Sequence, residues 1–168
     1  MRGYKVFIDY REVRFIGGCE LQALNKMKTY LRSRLKKELS LRKAKGYITY
    51  KIGDVSSYHN KIKAYRKFVE LGVCPRLLDH GVVFNYKVHN LDEGEEEEFN
   101  ICGYFIETES WGVSLFDKYG LSPLYYPEHI KVQIRNLFER ARKGGVCPRN
   151  PNPRNVFIRD GVVKITAF

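Results

Sequence analysis

Between Glu20 and about Leu41 the apolar residues Leu21, Leu24, Met27, Leu31, Leu35 and Leu39 recur every three or four positions. That is the period of one buried face of a helix, so a long amphipathic helix is predicted there. A second helix is expected from Ser56 or Ser57, either a possible N-cap, with Tyr58, Ile62, Tyr65 and Val69 on one side and Gly72 as its stop. A third runs from Pro127 to Lys143, with Ile130, Ile134, Leu137 and Phe138 as its core face and Gly144-Gly145 beyond it.

Other stretches carry the composition of strands. Lys5 to Tyr10 and Glu12 to Ile16 are rich in Val, Phe, Ile and Tyr and end at Gly17-Gly18. Tyr47 to Ile52 is a strand closed by Gly53-Asp54, and Leu77 to Val88 pairs with Phe99 to Glu107 across the acidic segment Asn90 to Glu98. Trp111 to Tyr119 is a connector or short helix. Val156 to Arg159 and Val162 to Ile165 flank Asp160-Gly161, a strong two-residue hairpin signal. Strands dominate early and helices later, which predicts an α+β fold in two lobes. Gly-Val-Cys-Pro-Arg occurs at 72–76 and at 145–149, each time after a helix, and reads as repeated local chemistry.

Charge changes this picture in one place. The net charge is +11, and from Cys19 to Lys45 nine Lys/Arg stand against Glu20 and Glu38, a balance of +7. The polar face of the first helix, with Arg32, Arg34, Lys36 and Lys37, is therefore a candidate surface for an acidic partner: protein, nucleic acid or membrane surface. Glu95 to Glu98 reads as a solvated loop.

Composition excludes several classes. With 168 residues, 43% of them hydrophobic, the chain can bury a core as a single domain. No apolar run reaches the length of a membrane span and Met1 to Tyr10 lacks a signal-peptide core, so an intracellular, cytoplasmic protein is expected. Cys19, Cys74, Cys102 and Cys147 form no Cys-x-x-Cys pair and are expected to be buried free thiols. His59, His80, His89 and His129 show no metal-ligand spacing.

Gly145 to Phe168 resembles the catalytic loop and following hairpin of the protein-kinase-like superfamily, particularly its small atypical members of the lipopolysaccharide-kinase type. Asn155 matches the family's metal-binding Asn, Val156-Phe157 the strand after it and Asp160-Gly161 the turn. Tyr50-Lys51-Ile52-Gly53 resembles the third-strand Lys motif, and Asn60 to Lys67 the helix that carries its Glu partner. Phe105 to Ser110 is similar to the fifth strand and hinge, and Gly112 to Leu115 to the connector after it.

The chemical positions depart from that pattern. Asn150 stands where the resemblance puts the catalytic Asp, Pro148 at the motif His, and Ala167 at the magnesium-binding Asp. An amide is no general base, and a methyl group offers no oxygen to a hard cation. Lys61 replaces the helix Glu, so Lys51 loses the carboxylate that would position it on phosphates.

The resemblance implies one kinase-like domain over 1–168: a small, β-rich lobe over 1–109 with a basic helical insertion at about 19–45, and a minimal, truncated large lobe over 110–168. It implies a catalytically inactive, pseudokinase-like regulator that binds another protein, such as a true kinase, or itself. No metal, catalytic residue or cofactor is expected. The alternatives are a divergent ATP-binding phosphotransferase, with Lys51 and Asn155 as remnants of a nucleotide site, and a nucleic-acid binder using the basic helix.

Overall fold

β1 (Arg2–Ile8) and β2 (Arg11–Gly17) pair antiparallel from Arg2↔Gly17 to Ile8↔Arg11, in a computed structural model that describes residues 2–91, 97–145 and 152–166. Their turn is Asp9-Tyr10, at φ 50° and 64°. Positive φ at both central residues suits the right-handed twist of a hairpin. The first strand thus stops at Ile8, short of the expected Tyr10, because these two residues turn without a glycine to advertise it.

The chain forms two units. The first holds the described residues of Met1–Ala44, Ile48–Asn60 and Asp79–Ile106. The elements here are α1 (Glu20–Ser40), β3 (Tyr47–Gly53), β4 (Leu77–Asn90) and β5 (Glu98–Thr108). Five strands lie in the order β2-β1-β4-β5-β3, so the expected neighbours β4 and β5 are adjacent. The first hairpin attaches through β1 to β4, with Val6 opposite Val88.

α1 packs on this hairpin, and its buried residues are Ala23, Met27, Leu31, Leu35 and Leu39. A strict four-residue spacing drifts around a 3.6-residue helix, giving a slanted stripe. Leu21 falls off that stripe and is 64% exposed, Leu24 is half-buried, and Ala23 takes the core place expected of them. Each fully buried Leu contributes roughly 1.5–3 kcal/mol.

The second unit holds the described residues of Lys45–Tyr47, Lys61–Leu78 and Glu107–Phe168. The helix α2 (Val55–Glu70) starts one residue before the expected Ser caps. Asp54 is the cap, its Oδ1 accepting from the Ser57 N–H at 2.6 Å. At its other end the Val73 N–H reaches Phe68 O and the Gly72 N–H reaches Val69 O, both at 3.0 Å. This is a Schellman ending, with Gly72 at φ 72° and Val73 and Phe68 in one core.

β6 (Val113–Ser114), α3 (Leu115–Tyr119), α4 (Glu128–Lys143), β7 (Val156–Arg159) and β8 (Val162–Ile165) complete the unit. A three-stranded sheet runs β6-β7-β8, with Asp160-Gly161 turning the last hairpin as expected. Its core includes Tyr65, Leu115, Ile130, Leu137, Val156 and Val163. The architecture is α+β. Cys74 and Cys102 are buried free thiols, but Cys19 is exposed where it precedes α1; Cys147 and most of the second Gly-Val-Cys-Pro-Arg copy lie outside the described residues. Among the described residues no helix is long and apolar enough to cross a membrane.

Candidate functional site

A cavity in the second unit is lined by Tyr47, Pro75, the run Thr108 to Gly112, Phe157 and Thr166. Gly112 shapes it. Its φ is 68°, and it passes so close to β7 that a Cβ would overlap the Ile158 carbonyl. The backbone can thereby bring Val113 opposite Ile158 and Ser114 opposite Phe157. The rings of Tyr47 and Phe157 meet at 5.4 Å and fill part of the space.

Charged groups hold Trp111 in place. Its Nε1 donates to Val162 O at 2.9 Å. The Arg159 guanidinium lies 3.7 Å and the Lys164 ammonium 4.4 Å from its ring centre, and Arg159 also pairs with Glu109 at 3.4 Å. Such contacts are worth about 0.5–1 kcal/mol each at exposed sites. Glu107, almost fully buried, accepts from the Lys45 N–H at 2.6 Å and the Gly46 N–H at 3.0 Å, which fixes the entry to β3. Burial pushes the Tyr65 hydroxyl well above the ordinary tyrosine range, and it donates to Pro75 O at 2.8 Å.

The cavity measures about 290 Å³ even counting space open to solvent. Small-molecule sites run from roughly 300 to 1,000 Å³.

The residues singled out from the sequence fall in both units and partly outside the described residues. Lys51 is half-buried on β3 in the first unit, and Lys61 half-buried on α2 in the second. Asn155 precedes β7, where its carbonyl accepts from the Thr166 N–H at 2.8 Å and hydroxyl at 2.9 Å; its backbone thus ties the loop to the residue before Ala167. Asn150, Pro148 and Ala167 lie outside the described residues. Among the described residues no cluster of three or more His, Cys, Asp or Glu could hold a metal ion.

The basic helix sorts its cations by face. Arg34 is engaged, 2.5 Å from Asp9 and 3.6 Å from Glu38. Burial opposes its charge, but hydrogen bonds to Asp9 and Tyr86 outweigh that and raise its pKa. The Lys26 ammonium donates to Ile16 O at 2.8 Å. Lys28, Arg32 and Lys36 form a row at four-residue spacing, with Arg32 and Lys36 exposed, whereas Lys37, also exposed, lies about 100° around the helix from Lys36 and off that row. Of the four cations first singled out, two therefore share a solvent face.

A surface not foreseen from the sequence lies in the second unit. Leu121, Leu124 and Tyr125 are 58%, 85% and 73% exposed. They sit around a single 3-10 turn, Pro123–Tyr125, capped by Ser122, whose hydroxyl accepts from the Leu124 N–H at 3.3 Å. The signal was present as Leu-Ser-Pro-Leu-Tyr-Tyr-Pro, apolar residues between two prolines, too short and irregular to show any periodicity. No family model, curated protein or solved structure matches the chain.

Proposed function

We propose that this protein is a catalytically inactive, kinase-like module that acts by binding another protein. The observation that carries the reading is the segment Leu121 to Tyr125, which holds three large apolar side chains more than half exposed within five residues. Covering such side chains is worth roughly 1.5–3 kcal/mol apiece when burial is complete, and contiguous exposed apolar surface marks interaction sites. The ordered matches to the kinase-like pattern, with Asn150, Lys61 and Ala167 at its chemical positions, support a scaffold that has lost its reaction. A true kinase or a second copy of this chain are the partners this reading favours.

Capture from the native host's extract, together with sedimentation of the pure protein, tests it. The reading expects a specific protein partner or a concentration-dependent dimer. A strictly monomeric protein that captures nothing and phosphorylates a substrate would overturn it.

One observation favours a second reading, residual nucleotide binding. The cavity gathers Thr108 to Gly112, Phe157 and Thr166, the stretches that resemble the hinge and the surroundings of the catalytic loop. A thermal shift that requires Mg-ATP would support it. No shift at millimolar Mg-ATP would dismiss it.

A further inference from the structure

α4 carries its cations beside an apolar stripe. Ile130, Leu137 and Ala141 face the core, and the next strip around the helix holds Lys131, Ile134, Arg135, Phe138 and Arg142 at helical spacing. Ile134 and Phe138 are only half-buried. Lys131, Ile134 and Arg135 form one wall of a groove completed by Pro123, Tyr126, Pro153 and Val156.

The groove is several times roomier than the aromatic cavity, with about 890 Å³ of space including its open side. Its floor is apolar: two prolines, an isoleucine, a valine and the buried ring of Tyr126. The charged side chains on it are two cations one helical turn apart. Arg135 has a single partner among the described residues, Glu128 at 3.2 Å, in a pair where both side chains are about 70% exposed. So exposed a pair is worth about 0–1 kcal/mol and is easily exchanged for another carboxylate.

We infer that this groove is the docking site for an acidic, amphipathic segment of a partner protein, whose apolar residues enter between α4 and Pro123/Pro153 while its carboxylates meet Lys131 and Arg135. The inference rests on the partner-binding reading above and extends its contact from the segment Leu121 to Tyr125 into the groove that shares Pro123 with it. Charge complementarity selects the occupant. A basic segment would set like charges against Lys131 and Arg135 in a partly desolvated groove, which is strongly disfavoured. An uncharged apolar segment would leave Lys131 without a carboxylate partner and gain nothing from Arg135, whose exposed pair with Glu128 is its one contact among the described residues. The apolar anchors and flanking charges match helix-in-groove recognition, in which residues at i, i+3 or i+4 and i+7 provide the contact.

The test uses the full chain and two labelled synthetic helical peptides. Both carry Leu at i, i+4 and i+7, one with Glu and the other with Lys at the flanking positions, and binding is read by fluorescence anisotropy. The expected result is at least tenfold tighter binding of the Glu peptide, weakening with added salt. In Lys131→Glu/Arg135→Glu that preference should reverse toward the Lys peptide. Arg32→Glu/Lys36→Glu on α1 changes net charge equally and should leave it in place.

Equal loss in the two double variants would mean that net charge alone attracts the peptide, and would overturn the groove. So would equal binding of both peptides, or binding of neither, as when the chain's own residues fill the groove. Host-extract capture separates the two levels. A partner retained equally by wild type and Lys131→Glu/Arg135→Glu sinks the groove and leaves the partner-binding reading standing, whereas no partner for wild type sinks that reading itself.

Discussion

Gly112→Ala should be among the most damaging single-methyl additions to the second unit. At φ 68° an L-residue is strained, and the added Cβ would overlap the Ile158 carbonyl oxygen, with Ile158 C at 2.9 Å and Arg159 Cα at 3.2 Å. The left-handed conformation costs roughly 1–2 kcal/mol. Forcing an extra carbon into close packing adds roughly 1–3 kcal/mol, and here the obstacle is backbone, which cannot rotate away. The expected loss is therefore about 2–5 kcal/mol in total. Gly161→Ala is the control: φ there is 77°, but nothing lies within 4 Å of the new Cβ. It should lose only the conformational part. The protein has one tryptophan, Trp111, whose ring packs against Arg159 and Lys164 within the second unit. Urea unfolding followed by its fluorescence thus reports on the affected unit, and with a slope of about 1–3 kcal/mol/M the midpoint should fall by on the order of 1 M or more. Equal losses in the two variants, within about 0.5 kcal/mol, would refute the close approach of Gly112 to β7.

Other outcomes follow from the packing and charge of single residues. Leu31→Ala, at the centre of the α1 stripe and fully buried, should cost about 2–5 kcal/mol, while Leu21→Ala should stay within about 0.5 kcal/mol; chemical denaturation followed by circular dichroism distinguishes them, and similar costs would mean that the helix face is misassigned. The Ser57 backbone N–H holds the Asp54 carboxyl below its ordinary value of 3.8. A carboxylate depressed on folding stabilises fully above that ordinary value, and the contribution is lost as pH falls through its folded value. Asp54→Asn should therefore show a flatter decline of stability in acid than wild type, and parallel acid-denaturation curves would contradict the cap. If α1 binds an acidic polymer, Arg32→Glu/Lys36→Glu should abolish salt-sensitive binding and Lys37→Glu should weaken it less; equal effects would show that the row at four-residue spacing is not the contact.

The parts of the fold legible in the sequence were those fixed by neighbours. Val156–Arg159 and Val162–Ile165 were bounded correctly because Asp160-Gly161 accepts positive φ at both turn positions. The Asp9-Tyr10 turn has the same geometry but lacks a glycine, so it passed for strand. Hydrophobicity names Leu21 as a candidate for the core face, while the direction of the stripe, which takes Ala23 instead, depends on what the helix packs against. Asp54 competes in the sequence with two serines just after it, Ser56 and Ser57, as the cap of α2. The pairing of β1 with β4 joins residues more than eighty positions apart, which no local pattern encodes. At the candidate site, Thr108 to Ser110 and Phe157 were noticed through resemblance, but their meeting with Tyr47 and Trp111 depends on Gly112, whose role appears only when β6 lies beside β7. Leu124 and Tyr125 carried no periodic signal at all.

Quantitative capture from the native host, comparing wild type with Leu124→Asp/Tyr125→Asp, tests the partner-binding reading most directly. Both side chains are more than two-thirds exposed, so their replacement should leave unfolding by Trp111 fluorescence unchanged. The account predicts a defined protein enriched on wild type and lost on the variant. Enrichment of nothing, or of the same proteins to the same extent on both, would contradict it.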